Sequence, residues 1–452
     1  MLKPVNLPRL TRDTRLLFAT RFIRLFAYGS LSVVLVFYLV GLGLSEQQAG
    51  LLLTLTLVGD TVISLAITTR ADRMGRRRML IIGALLMTAA GIVFASTASL
   101  SVLLLAGTIG VVSPSGHEVG PFLPIEQAAL SHVVTDRTRT EIFAWYTLTG
   151  SLATAVGALA AGVITRSLQH AAMTPVDSYR AVVVVYAVLG LVLAAIFAGL
   201  SKKTEATVHE TPGLAKTVIG GLSGLGRSRS VVMKLSALFA LDSFGGGFVV
   251  QAFTAYWFHL RFGVDPAGLG AIFFWANVFA GFSALVASRL AARIGLIKTM
   301  VFTHVPSNVL LILVPLMPSL WWAVTVLLLR FSISQMDVPA RQSYVMAVVT
   351  PEERSAAGGV TGVARTVGAA ISPLFVGLMF ARPALWNLPF FLAGLLKIVY
   401  DVVLYRQFVA ARTNLGRDRA EVSFQRNDNF GSTGRRVGRG VDRKPSVKTG
   451  PL

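Results

Sequence analysis

The sequence predicts an all-α membrane protein, with twelve transmembrane helices arranged as two pseudo-symmetric six-helix bundles. Three observations carry that expectation: a charge-poor composition, a series of apolar segments long enough to cross a bilayer, and an internal repeat at a spacing of about 215–220 residues. Of 452 residues, 54% are hydrophobic and 14% charged, with a mean hydropathy of +0.67; a water-exposed body of this size needs far more charge on its surface. A net charge of +21 would suggest nucleic acid in a soluble protein. Here the Lys and Arg residues fall mainly between apolar stretches and in the tails, so topology accounts for them and no nucleic-acid partner is expected. The chain has no cysteine, which excludes a disulfide framework, a thiolate metal site and a cysteine nucleophile.

Residues 1–15 are polar and basic and run into an apolar segment too long for a signal-peptide core, so the first span is expected to stay in the membrane. Apolar segments lie at about 16–40, 49–69, 79–97, 102–132, 141–164, 180–200, 232–259, 268–288, 297–317, 320–348, 356–379 and 385–407, each near the ~20 residues a spanning helix requires. The fourth is irregular, because its apolar part, 102–112, is short and Ser113–Pro121 is rich in helix breakers. Arg70, Arg73, Arg76, Arg77, Arg78, Arg137, Arg139, Lys202, Lys203, Arg289, Arg293, Lys298 and Arg354 fall on one side, and few cations on the other. By the positive-inside rule both termini are cytoplasmic, in a cell (inner or plasma) membrane. The expected organisation is a bundle over 1–200, a cytoplasmic linker over 201–230, a second bundle over 231–407 and a disordered basic tail over 408–452.

The repeat is collinear. Ala49-Gly50-Leu51 recurs as Ala267-Gly268-Leu269, and Asp72-Arg73-Met74-Gly75-Arg76-Arg77-Arg78 is echoed by Ala292-Arg293-Ile294-Gly295-Leu296-Ile297-Lys298. Pro124, Glu126, Gln127 and Arg139 answer to Pro339, Arg341, Gln342 and Arg354, and Val156-Gly157-Ala158 to Val367-Gly368-Ala369. With six spans in each copy the two have the same orientation and relate by an axis along the membrane normal.

The stretch Arg70-Ala71-Asp72-Arg73-Met74-Gly75-Arg76-Arg77-Arg78 resembles the cytoplasmic loop signature of the major facilitator superfamily, with Thr68 where that family usually has its first Gly. Arg330 to Gln335, Pro339, Pro351 to Arg354 and Gly368 to Pro373 are similar to the family's second-half pattern. The resemblance implies the major facilitator fold, a central cavity lined chiefly by the first and fourth helices of each half, and alternating access. The Gly-Pro pattern of its antiporters is incomplete, since Gly150, Gly157 and Gly162 occur in the fifth span without the Pro.

A charge at bilayer depth costs at least ~2.5–3.5 kcal/mol, so ionisable residues inside the spans mark pairs, water or function. Asp60 in the second span and Arg365 in the eleventh lie at similar depth, on helices that the family fold places side by side; an ion pair bridging the halves is expected, as coupling element or as permanent latch. His117 and Glu118 among the breakers of the fourth span are candidates for binding a proton, cation or hydroxylated solute, or else residues of the outer mouth. Asp242, with Gly245-Gly246-Gly247 and Gln251 following, is a candidate proton site beside a local unwinding of the seventh helix. Arg330 and Asp337, seven residues apart, would share a face of the tenth helix, and Arg330 is the leading candidate for binding a substrate carboxylate or phosphate or for holding a coupling acid, with a structural role as the alternative. Glu126 and Arg341 occupy equivalent places in the repeat and are expected to pair across the axis as an inner gate, or to snorkel. Asp72, Arg73, Gly75, Arg76 and Arg77 are expected to form a conformational latch, asymmetric because Ala292 replaces the acid in the second copy.

There is no Gly-x-x-x-x-Gly-Lys-Ser/Thr loop for a nucleotide, no His-Glu-x-x-His and no Gly-x-Ser-x-Gly. The expected function is a secondary active transporter, not an enzyme. It would move a small organic solute with proton or other ion coupling, without cofactor or metal, as a monomer among membrane lipids. Export is slightly favoured. An uptake permease of the same fold and a non-transporting sensor are the alternatives.

Overall fold

The computed structural model describes residues 11–118, 120–134, 136–205, 225–226, 228–350 and 353–408, apart from the side chains at 72, 73, 132, 136–141, 288 and 355. Most of the expected linker, the expected tail beyond 408 and the side chains of Asp72 and Arg73 therefore lie outside the described residues. The first half comprises α1 (Arg12–Gly41), α2 (Glu46–Met74), α3 (Arg76–Ser96), α4 (Leu100–Ile109), α5 (Phe122–Val133), α6 (Asp136–His170) and α7 (Pro175–Ala198). The second comprises α8 (Arg229–Gly247), α9 (Gln251–Phe262), α10 (Pro266–Ile294), α11 (Leu296–Leu313), α12 (Leu320–Phe331), α13 (Asp337–Val348), α14 (Arg354–Phe380) and α15 (388–408). Ten stretches among the described residues are long and apolar enough to cross a membrane; the fourth and tenth crossings are each made of two short helices, giving twelve in all.

Local chemistry sets these boundaries, and it does so twice. Ser45 opens α2 by accepting from the Gln48 backbone N–H while the Gln48 side chain accepts from Ser45, and Asp265 opens α10 by accepting from the Gly268 N–H. The hairpins α2–α3 and α10–α11 turn on Gly75 at φ +100° and Gly295 at φ +87°, a region that disfavours any side chain with a Cβ. Pro124 is the third residue of α5 and Pro339 the third of α13, where a helix has no use for an amide donor; each proline therefore favours a new helix start.

Two expectations about continuity change. The fourth span, read over 102–132, is interrupted from 110 to 121, where the breakers stand. The tenth, read as one helix over 320–348, is also interrupted, at 332–336. There Ser332 donates to the Leu329 carbonyl at 2.7 Å and Ser334 to that of Phe331 at 3.4 Å, local bonds that compete with the helical ladder. The seventh span breaks at 248–250, just after its three glycines, as expected for a local unwinding.

The halves meet along two helix pairs, α2 with α14 and α6 with α10. Both contacts are glycine-mediated: a Cβ on Gly50 would stand 2.6 Å from the Pro373 carbonyl and 2.9 Å from Gly377 Cα, and one on Gly270 would stand 2.7 Å from the Ala158 carbonyl. At the end of the molecule where α1 finishes and α2 begins, further contacts close the gap. Phe37 packs edge-on to Tyr256 and His259, Tyr256 donates to Glu46 at 3.1 Å, and the Ala252 amide donates to the Pro114 carbonyl at 3.0 Å. Toward the other end, that of the Gly75 turn, a cavity of about 1010 Å³ lies between the halves, lined by residues of α5, α6, α8, α13 and α14.

Gly50→Ala should force α2 and α14 apart and lower stability by about 1–3 kcal/mol, read as a lower thermal midpoint of the purified protein in detergent. Gly362→Ala is the control, because nothing lies within 4 Å of a Cβ there and helix propensity alone should leave it neutral or slightly stabilised.

Candidate functional site

Two buried charge clusters, one in each half, flank the cavities between the halves. In the first half α1 carries Arg21 and Arg24, i and i+3, on the face turned toward α5 and α6. Arg24 is fully buried and clasps Glu126 of α5 with both Nη atoms, each at 2.6 Å. Its Nη2 also reaches Glu118 at 3.0 Å, and Arg21 pairs with the same Glu118 carboxylate while its Nε donates to the Tyr146 carbonyl at 2.7 Å. The Tyr146 hydroxyl donates to Glu126, as does Thr20 at 2.9 Å. Two guanidinium groups thus neutralise two carboxylates, and polar donors fill the remaining lone pairs; that is the condition under which buried charge is tolerated.

In the second half Asp242 of α8 is the hub. It accepts from Arg341 of α13 at 2.9 Å and from Lys397 of α15 at 2.7 Å. The imidazole of His304 on α11 lies 3.6 Å from the same carboxylate through Nε2. Its Nδ1 lies 3.0 Å from Asp401, which Asn308 also approaches at 3.3 Å. Arg341 additionally reaches Asp337, one turn before it, at 3.3 Å.

The two clusters are related by the repeat with their signs exchanged. Position 24 lies 218 residues before 242 and position 126 lies 215 before 341, both within the repeat spacing. An Arg on the first span paired to a Glu on the fourth becomes an Asp on the seventh paired to an Arg on the tenth.

Several expected partnerships are therefore redrawn. Glu126 and Arg341 do not pair with each other; each finds its partner within its own half. Asp60 and Arg365 do not pair either. Although α2 and α14 are adjacent, Asp60 is bonded by Ser64 at 3.4 Å and by the backbone of Gly120, both in its own half, while Arg365 lines the large cavity. Arg330 and Asp337 do not share a helical face, because the break at 332–336 separates them. Glu118 is not an outer-mouth residue but part of the first cluster, whereas the neighbouring His117 turns into a smaller central cavity of about 150 Å³. Arg330, Gln251 and Lys397 line that cavity as well. Gln251 also joins the halves, donating to Ser32 at 2.8 Å and accepting from Asn277 at 3.1 Å.

At the α2–α3 turn the described residues of the expected latch are tied within their own half. The Glu205 carboxylate, just beyond α7, accepts from the backbone N–H of Arg76 at 2.6 Å and of Arg77 at 3.2 Å, capping the start of α3 with negative charge. Glu353 acts similarly at the start of α8, accepting from Gly226 at 2.7 Å and Ser228 at 3.2 Å. Arg21, Arg24, Tyr146, Lys397 and Asp401 are site residues that the sequence reading did not single out. The signal was available: each charged one interrupts an apolar span, and Arg24 stands at the repeat distance from Asp242.

Broken helices at mid-span, buried charge networks and paired cavities between two pseudo-symmetric bundles define a membrane solute carrier. The chain belongs to the Major Facilitator Superfamily, whose model matches residues 17–373. It is 30% identical over 424 residues to the uncharacterized membrane protein YJR124C of Saccharomyces cerevisiae, covering 88% of this chain and 94% of that one. Among solved structures it is similar to the nucleoside transporter NupG, with a TM-score of 0.69, 12% identity and coverage of 88% of this chain and 99% of that chain. It is also similar to a bacterial homolog of the human lysosomal transporter Spinster in an inward-facing, unoccupied conformation, with a TM-score of 0.67, 16% identity and coverage of 89% and 97%. A third is the human organic anion transporter MFSD10, with a TM-score of 0.58, 16% identity and coverage of 86% and 100%.

Arg24→Ala would leave Glu118 and Glu126 with most of their positive charge removed at a buried site. A loss of about 3–5 kcal/mol is expected, measured as a fall in the thermal midpoint in detergent, with Arg24→Lys intermediate because it keeps the charge and loses the fork.

Proposed function

We propose that this protein is a secondary active transporter that moves a small organic solute by alternating access, with protons as the coupling ion. The observation that carries this reading is the one-sided closure of the space between the halves. Aromatic and hydrogen-bonded contacts from Phe37, Glu46 and Tyr256 close one end, the Gln251–Ser32 bond joins the halves deeper in, and a cavity of about 1010 Å³ occupies the other end. Two pairs of helices, α2–α14 and α6–α10, carry most of the contact between the halves, so the bundles can rock about them. With the Arg-rich turns taken as cytoplasmic, in a cell membrane with both termini inside, this conformer is inward-open.

Proton coupling is supported by the composition of the second cluster. Three carboxylates, Asp242, Asp337 and Asp401, face the basic side chains of Arg341 and Lys397, and both ring nitrogens of His304 point at carboxylate oxygens. Tyr400 packs edge-on to the same imidazole and Asn308 bonds Asp401, so these groups complete its surroundings. Gain or loss of one proton at His304 changes the net charge of this buried cluster by one at bilayer depth. That difference biases the pairing that holds α8, α11, α13 and α15 together, and so biases one conformer over the other.

Reconstituted liposomes test both parts. An imposed pH gradient should drive solute across the wild-type vesicles, and His304→Gln, which keeps a hydrogen-bonding group and loses the titration, should carry solute without responding to the gradient. An acid lumen that drives solute inward indicates exchange, hence export in the cell, and an acid bath that does so indicates co-transport, hence uptake. Binding without net flux under every gradient would instead make the protein a sensor on a carrier fold, and a gradient response in His304→Gln equal to wild type would remove this cluster from coupling.

A further inference from the structure

We propose that the transported solute is an organic anion, with Arg330 as the residue that binds its carboxylate or phosphate group in the central cavity and Arg365 as a second station on the way out. The inference rests on the carrier reading above and goes further by naming the charge and chemical class of the cargo.

The acids of the spans are already used. Glu118 and Glu126 are held by Arg21 and Arg24, Asp242 and Asp337 by Arg341 and Lys397, Asp401 lies against His304, and Asp60 is bonded by Ser64. None of them, and no other Asp or Glu, is among the residues that line either cavity. The cations are distributed differently. Arg330 and Lys397, beside the imidazole of His117, line the central cavity, and Arg341, Arg354 and Arg365 line the larger one. Every formally charged side chain at either cavity wall is therefore basic.

Two of these cations also lack an acid. Among the described residues no carboxylate lies within ion-pair distance of Arg330 or Arg365, and the Nε of each is buried without a hydrogen-bond partner. Arg330 rests beside the Phe331 ring, its Cζ 5.0 Å from the ring centre, which orients the guanidinium without neutralising it. An unpaired guanidinium at this depth is costly, and a planar fork of donors is the geometry that matches a carboxylate or phosphate with two parallel bonds. An anionic group bound there supplies the missing charge; Ser115, Gln251, Thr254 and Gln335 on the same wall offer neutral hydrogen bonds to the rest of the solute. The central cavity, about 150 Å³, holds the anionic head of a small solute, and Arg365 offers the next positive charge along the wide cavity. Arg365 lies 11 residues into α14, about 16 Å from its start.

The test presents liposomes containing the full chain with three pools of small solutes and identifies what enters by mass spectrometry. One pool holds organic carboxylates and phosphate monoesters, one organic ammonium ions, and one neutral sugars and nucleosides. Entry from the anion pool is expected, falling roughly tenfold or more in Arg330→Gln, less in Arg330→Lys, and measurably in Arg365→Gln. Size-exclusion profile and thermal midpoint in detergent establish that the variants fold. Entry only from the ammonium or neutral pool, or anion entry unchanged in a folded Arg330→Gln, overturns the anion assignment and leaves the carrier reading standing. No entry from any pool overturns the carrier reading and this inference with it.

Discussion

A charge carried into the apolar region of a membrane must meet an opposite charge or water, and that constraint shapes this protein more than any other. Arg24–Glu126 and Asp242–Arg341 satisfy it in the two halves, on equivalent helices, with the polarity exchanged. Each pair ties the first span of its half to the fourth, and so fixes the inner surface of each bundle from within. Both pairs are internal to a half, and among the described residues no ion pair joins one half to the other, which suits two bodies that must separate and reclose.

The contacts that do join the halves are of a weaker and more reversible kind. Gly50 against Gly377 and Gly270 against Gly162 let two helix pairs approach backbone to backbone, giving dispersion contact without directional bonding. Aromatic rings and a few neutral hydrogen bonds close one end. The broken spans place the chemistry at mid-depth, since the interruptions at 110–121, 248–250 and 332–336 bring His117, Gln251 and Gln335 to the central cavity. Irregular backbone is tolerated there because the cavity and the surrounding protein, not lipid, take up the freed polar groups.

Much of this architecture is legible residue by residue. Gly75 and Gly295 announce twin hairpins, Pro124 and Pro339 twin helix starts, and Asp242 with its three following glycines a break beside a carboxylate. What was not legible is partnership. Asp60 and Arg365 have matching depths on neighbouring helices, yet a rotation of each about its own axis turns one toward the loop before α5 and the other toward the cavity. Depth follows from counting residues; azimuth depends on which neighbour packs against each face. Arg21, Arg24 and Lys397 passed unnoticed for the same reason, since a lone cation in an apolar run shows its value only when its acid, some 94 to 155 residues away, is in place.

The sequence by itself determined the solvent, the number of spans, the duplication and the presence of charges that demand company, because each follows from local hydrophobicity or from self-similarity along the chain. Only the tertiary structure decided which charges found company. Packing drew most of the span carboxylates into two networks and, among the described residues, left Arg330 and Arg365 without an acid at the cavity walls; from that residue of positive charge the character of the cargo is inferred.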